Sequence, residues 1–199
     1  EKYKGDIKHS LTPKMLVRMS PGSMRKEDSG FRLNPISAFD LNRMGSIYNY
    51  ETGITGTLGF DYEIESNSNK KFNFSVAQII NQKENKKMSD SSSLNEKLSD
   101  LVGSTSYTLN KNFKVTQNFA LDQNYNDLNY NEIGLNYNYK ALNLNFDYLN
   151  EKKHIGDQDY FKTELNLNNR DKGLLSLKTK RNLVTNSSEF YDLSYEYIN

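Results

Sequence analysis

The sequence has no cysteine and no tryptophan, and only 3 of its 199 residues are proline. Without cysteine, the chain contains neither a disulfide framework nor a thiolate metal site. The few prolines and the 11 glycines exclude collagen-like and proline-rich linker segments. The formal net charge is only +1, so the chain lacks the basic excess that is typical of nucleic-acid-binding proteins.

Long apolar runs are missing as well. No stretch approaches the roughly 20 apolar residues of a membrane-spanning helix, and the first residues contain no apolar segment of the signal-peptide kind. Hydrophobic residues make up 35% of the chain, with 14 tyrosines and 10 phenylalanines supplying most of the bulk. Low hydrophobicity favours disorder, but the small net charge and the regular spacing of aromatic residues indicate a folded chain.

The pattern that is present is an alternation of period two. In residues 134–148 nearly every second residue is apolar or aromatic, and most residues between them are asparagine. Such alternation predicts β-strands. We predict about ten strands, most of about 8 to 11 residues. They cover residues 11–19, 47–64, 71–80, 100–109, 113–122, 130–139, 142–148, 159–168, 174–181 and 189–198.

Short and long connections alternate between these strands. The predicted short turns are residues 66–69, 110–112, 140–141 and 169–173. The predicted long connections are residues 20–46, 81–99, 123–129, 151–158 and 182–188. This order is typical of transmembrane barrels, whose short turns and long loops lie on opposite sides of the membrane. The predicted fold is therefore all-β: a fragment of an antiparallel transmembrane β-barrel with meandering strands.

The hairpin turn at residues 140–141 predicts a register. A turn at this point places Tyr137 opposite Leu144 and Asn136 opposite Asn145. Apolar side chains then share one face and asparagines share the other, as a common register requires. A second hairpin, with a three-residue turn at 110–112, would place Leu109 opposite Phe113 and Tyr107 opposite Val115.

Lipid is the predicted partner of the apolar face, since the sequence offers no amphipathic helix or second apolar sheet to cover it. The predicted lipid-facing residues are Leu135, Tyr137, Leu142, Leu144, Phe146, Leu165, Leu193 and Tyr195. The commonest other source of this pattern is a soluble antiparallel sheet with one wet face.

Motifs for catalysis are weak. His9 and His154 have no acidic neighbours at a spacing such as His-Glu-x-x-His, so we predict that both lie at the surface. The glycine-rich residues 53–59 lack the Lys-Ser/Thr and the helix of a phosphate loop, which favours small residues on a closely packed wall. We expect no catalytic residue, metal or cofactor. The candidate lumen or substrate-path residues are the inward-pointing cations Arg18, Lys162, Lys178 and Lys180.

Several segments match known motifs in their order along the chain. The first long connection contains MRKEDSGFRL at 24–33 and FDLNR at 39–43, which includes Asn42 and Arg43. Residues 74–80 are FSVAQII, a strand motif that includes Val76, Gln78 and Ile79 and has alanine where glycine is usual. Residues 99–103, 181–183 and 189–197 also match. Together these segments resemble the barrel of the LptD family of lipopolysaccharide-assembly proteins.

The resemblance implies a non-enzymatic protein of the cell outer membrane that transports lipopolysaccharide to the outer leaflet. It implies as partners lipopolysaccharide, an LptE-type plug lipoprotein, outer-membrane lipid and, through an N-terminal jelly-roll domain, periplasmic lipopolysaccharide-bridge proteins. Residues 1–199 would then be a partial barrel domain without that jelly roll, the early strands and the last strands. No nucleic-acid partner is expected. The alternatives are another outer-membrane channel or receptor barrel, and a soluble or surface β-sheet adhesin.

Overall fold

The computed structural model of the protein describes residues 2–4, 7–44, 46, 48–66, 69–169 and 173–197. They form one antiparallel sheet in which every strand pairs with the next one along the chain. The strands are β1 Lys2–Lys4, β2 Ile7–Ser20, β3 Gly53–Ser66, β4 Lys71–Asn81, β5 Leu101–Asn110, β6 Phe113–Leu121, β7 Leu128–Tyr139, β8 Leu142–Glu151, β9 Gln158–Asn169, β10 Gly173–Asn182 and β11 Ser187–Glu196. The prediction of an all-β antiparallel meander is confirmed.

The sheet is open in the described part of the chain, with β1 and β11 as its two edges. Helical structure in these residues consists of two 3-10 turns, Ser37–Phe39 and Asp90–Ser92. Among the described residues there is no helix of the length and apolarity that crossing a membrane requires.

Long and short connections alternate as predicted from β2 to β9. Because successive strands are antiparallel, the long connections after β2, β4, β6 and β8 all lie at one end of the sheet, the long-loop end. The connection after β10 lies at the same end but was predicted too long, because it has only four residues, 183–186, as many as the connection after β3. The connections after β3, β5 and β7 are short and lie at the opposite, short-turn end.

The register of β7 and β8 is the predicted one. Tyr137 lies opposite Leu144 and Asn136 lies opposite Asn145. We call the face that carries the first pair the apolar face and the face that carries the second pair the polar face. Residues opposite each other share a face, so the same two faces continue across the sheet.

The second hairpin was predicted only in part: Tyr107 lies opposite Val115, as the three-residue turn predicts, but the pair next to the turn differs. A three-residue turn would place Leu109 opposite Phe113, but Asn110 takes that position and the register shifts between Thr108 and Asn110. The side-chain oxygen of Asn110 accepts a hydrogen bond of 2.8 Å from the Asn112 backbone amide, which closes a tighter turn. A bulge in β5 absorbs the extra residue.

The strand predicted at residues 47–64 begins later, at Gly53. The residues before it belong to the long connection because their side chains hold that connection in place. The Asn49 side chain accepts a hydrogen bond of 3.1 Å from the Arg25 backbone amide and donates one of 3.2 Å to the Arg25 carbonyl. Residue 47, the first of the predicted strand 47–64, and residue 198, the last of the predicted strand 189–198, lie outside the described residues.

A buried apolar cluster lies on the polar face at the long-loop end. There the row of side chains that is polar along most of each strand becomes apolar, as at Ile79 in β4, Val102 in β5 and Leu149 in β8. Two long connections fold onto this patch, and we call their described residues, 21–44, 46, 48–52 and 82–100, the loop cap. The members of the cluster are Met24, Leu33, Ala38, Ala77, Ile79, Met88, Leu94, Val102, Ala120, Tyr130 and Leu149.

Gly59 makes this docking possible. A Cβ atom at position 59 would lie 2.3 Å from the Val76 carbonyl oxygen and 3.1 Å from the ring of Phe39, which belongs to the loop cap. The predicted close packing of residues 53–59 therefore holds at Gly59. It is wrong for Gly53 and Gly56, where a Cβ would meet nothing within 4 Å.

The Gly59→Ala substitution should lower the free energy of unfolding by about 1–3 kcal/mol, because the added methyl group would clash with the Val76 carbonyl of β4 and crowd the Phe39 ring of the loop cap. Gly56→Ala in the same strand is the matched control and should change it by less than about 0.5 kcal/mol. Urea titration of both variants measures the difference. Equal stability of the two variants would show that the close approach at Gly59 is unimportant.

Candidate functional site

The two long segments of the loop cap are bound to each other and to the sheet. The backbone amide of Glu27 donates to the Lys87 carbonyl over 2.7 Å, which joins the first segment to the second. The Thr57 hydroxyl in β3 donates to the carbonyl of the fully buried Ala38 over 3.0 Å. The polar face therefore has two parts: a covered part under the loop cap and an open part toward the short-turn end.

A buried charge cluster fixes the first segment. Arg43 approaches the carboxylate of Glu51 with two nitrogens: Nε donates to Oε2 over 2.8 Å, and Nη2 donates to Oε1 over 2.6 Å. Nη2 also donates to the Thr55 hydroxyl of β3 over 3.0 Å. Arg18 of β2 lies 2.9 Å from the same carboxylate and donates to the Leu41 carbonyl over 2.9 Å.

The charges in this cluster are two guanidinium groups and one carboxylate. Burial lowers the pKa of Arg43 below its ordinary value, the charge of Glu51 opposes that effect and the charge of Arg18 adds to it. Glu51 is therefore the group that allows two cations to lie under the loop cap.

A second polar network joins more distant parts of the chain. The His154 ring lies between two carboxylates, with Nδ1 3.0 Å from Glu151 and Nε2 3.2 Å from Asp100. Arg32 of the loop cap donates to the other oxygen of Glu151 over 2.5 Å. Each ring nitrogen therefore faces a carboxylate oxygen. The network ties the connection after β8 to both segments of the loop cap.

Asp100 remains ionised in this environment. Burial alone would raise its pKa, but hydrogen bonds from His154 and Asn129 and the charge of Lys153 together lower the pKa below its ordinary value. The Lys153 ammonium lies 3.5 Å from the carboxylate.

Three of these side chains have the contact pattern of a hydrolase triad, since the Ser93 hydroxyl lies 3.3 Å from Nε2 of His154 and Glu151 holds Nδ1. Both Ser93 and His154 are buried, with 1% and 3% of their surface exposed. Nε2 also faces the Asp100 carboxylate, so the ring is not paired with the serine hydroxyl alone as it is in a triad. The arrangement connects loops and does not present a nucleophile to a substrate.

The prediction that His154 lies at the surface is wrong. Glu151 accepts hydrogen bonds from the backbone amides of Lys153 and His154, over 3.1 and 2.9 Å, and these bonds turn the connection inward. His9 is partly buried and lies 3.0 Å from the Tyr62 hydroxyl. Among the described residues, no group of His, Asp and Glu side chains is arranged to hold a metal ion.

The residues singled out by the loop motif have separate roles. Asn42 donates to the Ser46 carbonyl over 2.8 Å, which braces the loop locally. Arg43 is the centre of the charge cluster.

The strand motif anchors the second segment of the loop cap. Gln78 lies on the apolar face and donates to the Ser99 carbonyl over 3.0 Å. Ile79 lies on the polar face, is fully buried and accepts from the Ser99 backbone amide over 2.9 Å. Val76 lies opposite Phe60 on the apolar face.

The four predicted cations share the polar face but do not meet at one point. Arg18 is buried in the charge cluster on β2. Lys162 and Lys180 lie opposite each other on β9 and β10, and Lys178 lies 3.2 Å from Glu164. Only the three lysines therefore lie on neighbouring strands of the open part of the polar face.

The predicted lipid-facing residues lie on one face of the sheet. Leu135 pairs with Phe146, Leu142 with Leu167 and Leu144 with Leu165, and the row continues through Leu177 to Leu193.

Sequence analysis missed Glu51, Asp100, Glu151 and the burial of His154. Two signals were available. The strand ends II at 79–80 and LV at 101–102 are apolar on both faces, which indicates cover from both sides. A carboxylate next to such a strand end, as at Asp100 and Glu151, then has to be paired in the fold.

The fold and these networks define a class of protein: an antiparallel β-meander with one polar face and one apolar face, capped at one end by its own long loops. The family model described as LptD, LPS transport system D, matches residues 2–184. The chain belongs to the LptD family, whose members are outer-membrane proteins of lipopolysaccharide transport. A comparison with curated proteins finds no match.

Replacement of Glu51 by Gln should release the first segment of the loop cap. The change leaves two buried guanidinium groups without a counter-charge, for which we expect a local destabilisation of about 3–5 kcal/mol. Limited trypsin cleavage after Arg25 and Lys26 measures the opening of the segment.

Asp28→Asn is the control for this substitution. The Asp28 carboxylate pairs with Lys26 over 2.7 Å in the same segment, but 77% of its side chain is exposed. Loss of that exposed pair should cost less than about 1 kcal/mol and leave the cleavage rate unchanged. Equally slow cleavage of the Glu51 variant would disprove the structural role of the cluster.

Proposed function

We propose that this chain forms part of the wall of an outer-membrane β-barrel that moves lipopolysaccharide to the outer leaflet. The apolar face contacts membrane lipid and the polar face lines the lumen. One observation carries the proposal: among the described residues, a continuous apolar face lies uncovered on the same sheet as a polar face. On the apolar face Met15 is 72% exposed and Leu193 is 71% exposed. In water a patch of this kind is an association site, whereas lipid covers it without further protein.

Strand length supports the membrane location. A transmembrane β-strand needs about 9–11 residues, and β5, β6 and β8 have 10, 9 and 10 residues. The apolar row of β8 runs through Leu144 and Phe146 and gives way to Asn150 near the long-loop end. The apolar band therefore has a boundary, as expected where a strand leaves the hydrocarbon layer.

The open part of the polar face suits the sugar and phosphate groups of an amphiphile. Asn136, Asn138, Asn143 and Asn145 bond to one another through their amides across β7 and β8, and so form a neutral polar surface. Next to it, Lys178 of β10 forms an ion pair with Glu164 of β9 over 3.2 Å. In the proposed path, Lys162, Lys178 and Lys180 line the lumen, and the acyl chains stay on the lipid side.

Family membership supports the remaining parts of the proposal. The long-loop end would face the cell exterior and the short-turn end the periplasm, as is general for such barrels. Residues 1–199 would be part of a larger barrel whose lumen holds an LptE-type plug lipoprotein and receives lipopolysaccharide from periplasmic bridge proteins. The loop cap would cover the polar face on the exterior side.

The two faces should respond differently to a charge. Phe146→Arg places a cation on the apolar face at the middle of β8 and should cost about 2–4 kcal/mol of insertion free energy, while the neighbouring Asn145→Arg on the polar face should cost little. Folding of both variants into lipid vesicles measures the difference. Equal tolerance at the two positions would contradict the assignment of the faces.

Transport can be tested with neighbouring residues of β9. A photoreactive amino acid at Asn166, on the polar face, should give adducts with lipopolysaccharide in living cells, whereas the same probe at Leu165, on the apolar face, should give phospholipid adducts. Gel mobility and antibodies against lipopolysaccharide identify the product. Absence of a lipopolysaccharide adduct at position 166 and at other open positions of the polar face would refute the proposed path.

A further inference from the structure

A cleft of about 530 Å³ lies at the short-turn end of the sheet. It lies between the connections after β3, β5 and β7, and it opens beside two tyrosines of the apolar face. Its lining residues are Asn69, Asn110, Lys111, Asn112, Tyr137 and Tyr139. With Lys140, which lies beside it, we call this set the turn notch.

The turn notch is cationic. Lys111 is exposed in its wall, and the Lys140 ammonium lies 5.2 Å from the centre of the Tyr139 ring. None of the residues that line the cleft is acidic. The amides of three asparagines add hydrogen-bond donors, so the rim suits an anionic oxygen group better than a cation.

Lys140 occupies a position that disfavours lysine. Its φ angle is +52°, in the left-handed region where glycine or asparagine is preferred and other residues cost about 1–2 kcal/mol. A glycine would close the two-residue turn with less strain. Lysine at this position places a charge at the rim in spite of that cost, and a strained backbone of this kind is a reason to look for a role of the charge.

An aromatic surface leads from the turn notch onto the apolar face. The rings of Tyr137 and Tyr139 stack with centroids 6.5 Å apart, and Phe113 meets Tyr137 edge-on at 6.4 Å. Leu142 and Leu144 lie opposite these tyrosines in β8. Tyrosine next to lysine at the edge of an apolar band is the chemistry of a membrane interface.

From this arrangement we infer that the turn notch binds the phosphate headgroup of an anionic glycerophospholipid in the leaflet next to the short turns. The phosphate lies between Lys111 and Lys140, the asparagine amides bond the glycerol and phosphate oxygens, and the acyl chains run along Tyr137 toward Leu144. A zwitterionic lipid binds more weakly because its own ammonium group competes with the two lysines. The inference rests on the proposed membrane location of the apolar face.

Native mass spectrometry of the full-length protein tests this site, with phosphatidylglycerol and phosphatidylethanolamine of the same acyl chains as probes. We expect phosphatidylglycerol to bind more tightly, by about fivefold for each lysine that contacts the phosphate. The double substitution Lys111→Gln and Lys140→Gln should remove the preference. Lys83→Gln with Lys86→Gln, two exposed lysines at the long-loop end, is the matched control and should retain it.

Lys140→Gly keeps the test independent of folding defects. Glycine relieves the left-handed strain, so this variant should fold at least as well as the unmodified protein and still lose about fivefold in phosphatidylglycerol binding. Equal binding of the two lipids, or equal losses in the long-loop control, would overturn the inference.

Heat-modifiable gel mobility after folding into vesicles shows whether the protein inserts, and so distinguishes failure of the headgroup site from failure of the proposed function. A protein that inserts but shows no lipid preference overturns the headgroup site alone. A protein that does not insert overturns the proposed function and the headgroup site together.

Discussion

The common register of neighbouring strands is the constraint on which the rest of the structure depends. Side chains alternate between the faces, so a shift of one residue in a single pairing would move the apolar row of that strand to the polar face. The register does shift between Thr108 and Asn110, between Ala120 and Leu121 and between Lys180 and Arg181. Each of these irregularities lies near the end of a strand, so the central part of the sheet keeps two uniform faces.

The loop cap adds a second requirement at one end of the sheet. Apolar contacts around Ile79 and Leu94 supply the buried area, and they are compatible with many loop positions. The carboxylates of Glu51 and Glu151 are more selective because each must meet particular donors when it is buried. We infer that the apolar cluster holds the loops against the sheet and that the ion pairs decide where they lie.

The strand register could be predicted from the sequence, whereas the contacts of the loop cap could not. Strand rows and the hairpin at residues 140–141 are local patterns, so counting residues was enough to place Tyr137 opposite Leu144. The contact of Arg32 with Glu151 spans 119 positions, and no local period encodes it. The burial of His154 follows from such contacts, and for that reason it was mispredicted. The loop motif identified Arg43 but gave no indication of its partner Glu51.

The edges of the sheet favour a barrel over the soluble alternatives. Every side chain of β11 is exposed, including Tyr191 at 75%, and no strand among the described residues pairs with its outer edge. In water, such an edge with apolar side chains is a template for aggregation, and soluble proteins protect it with charges, proline or a covering segment. In the proposed barrel, pairing of this edge with another strand would satisfy its backbone groups, and lipid would cover Tyr191 and Leu193. The proposal therefore accounts for the exposed edge and the exposed apolar face together.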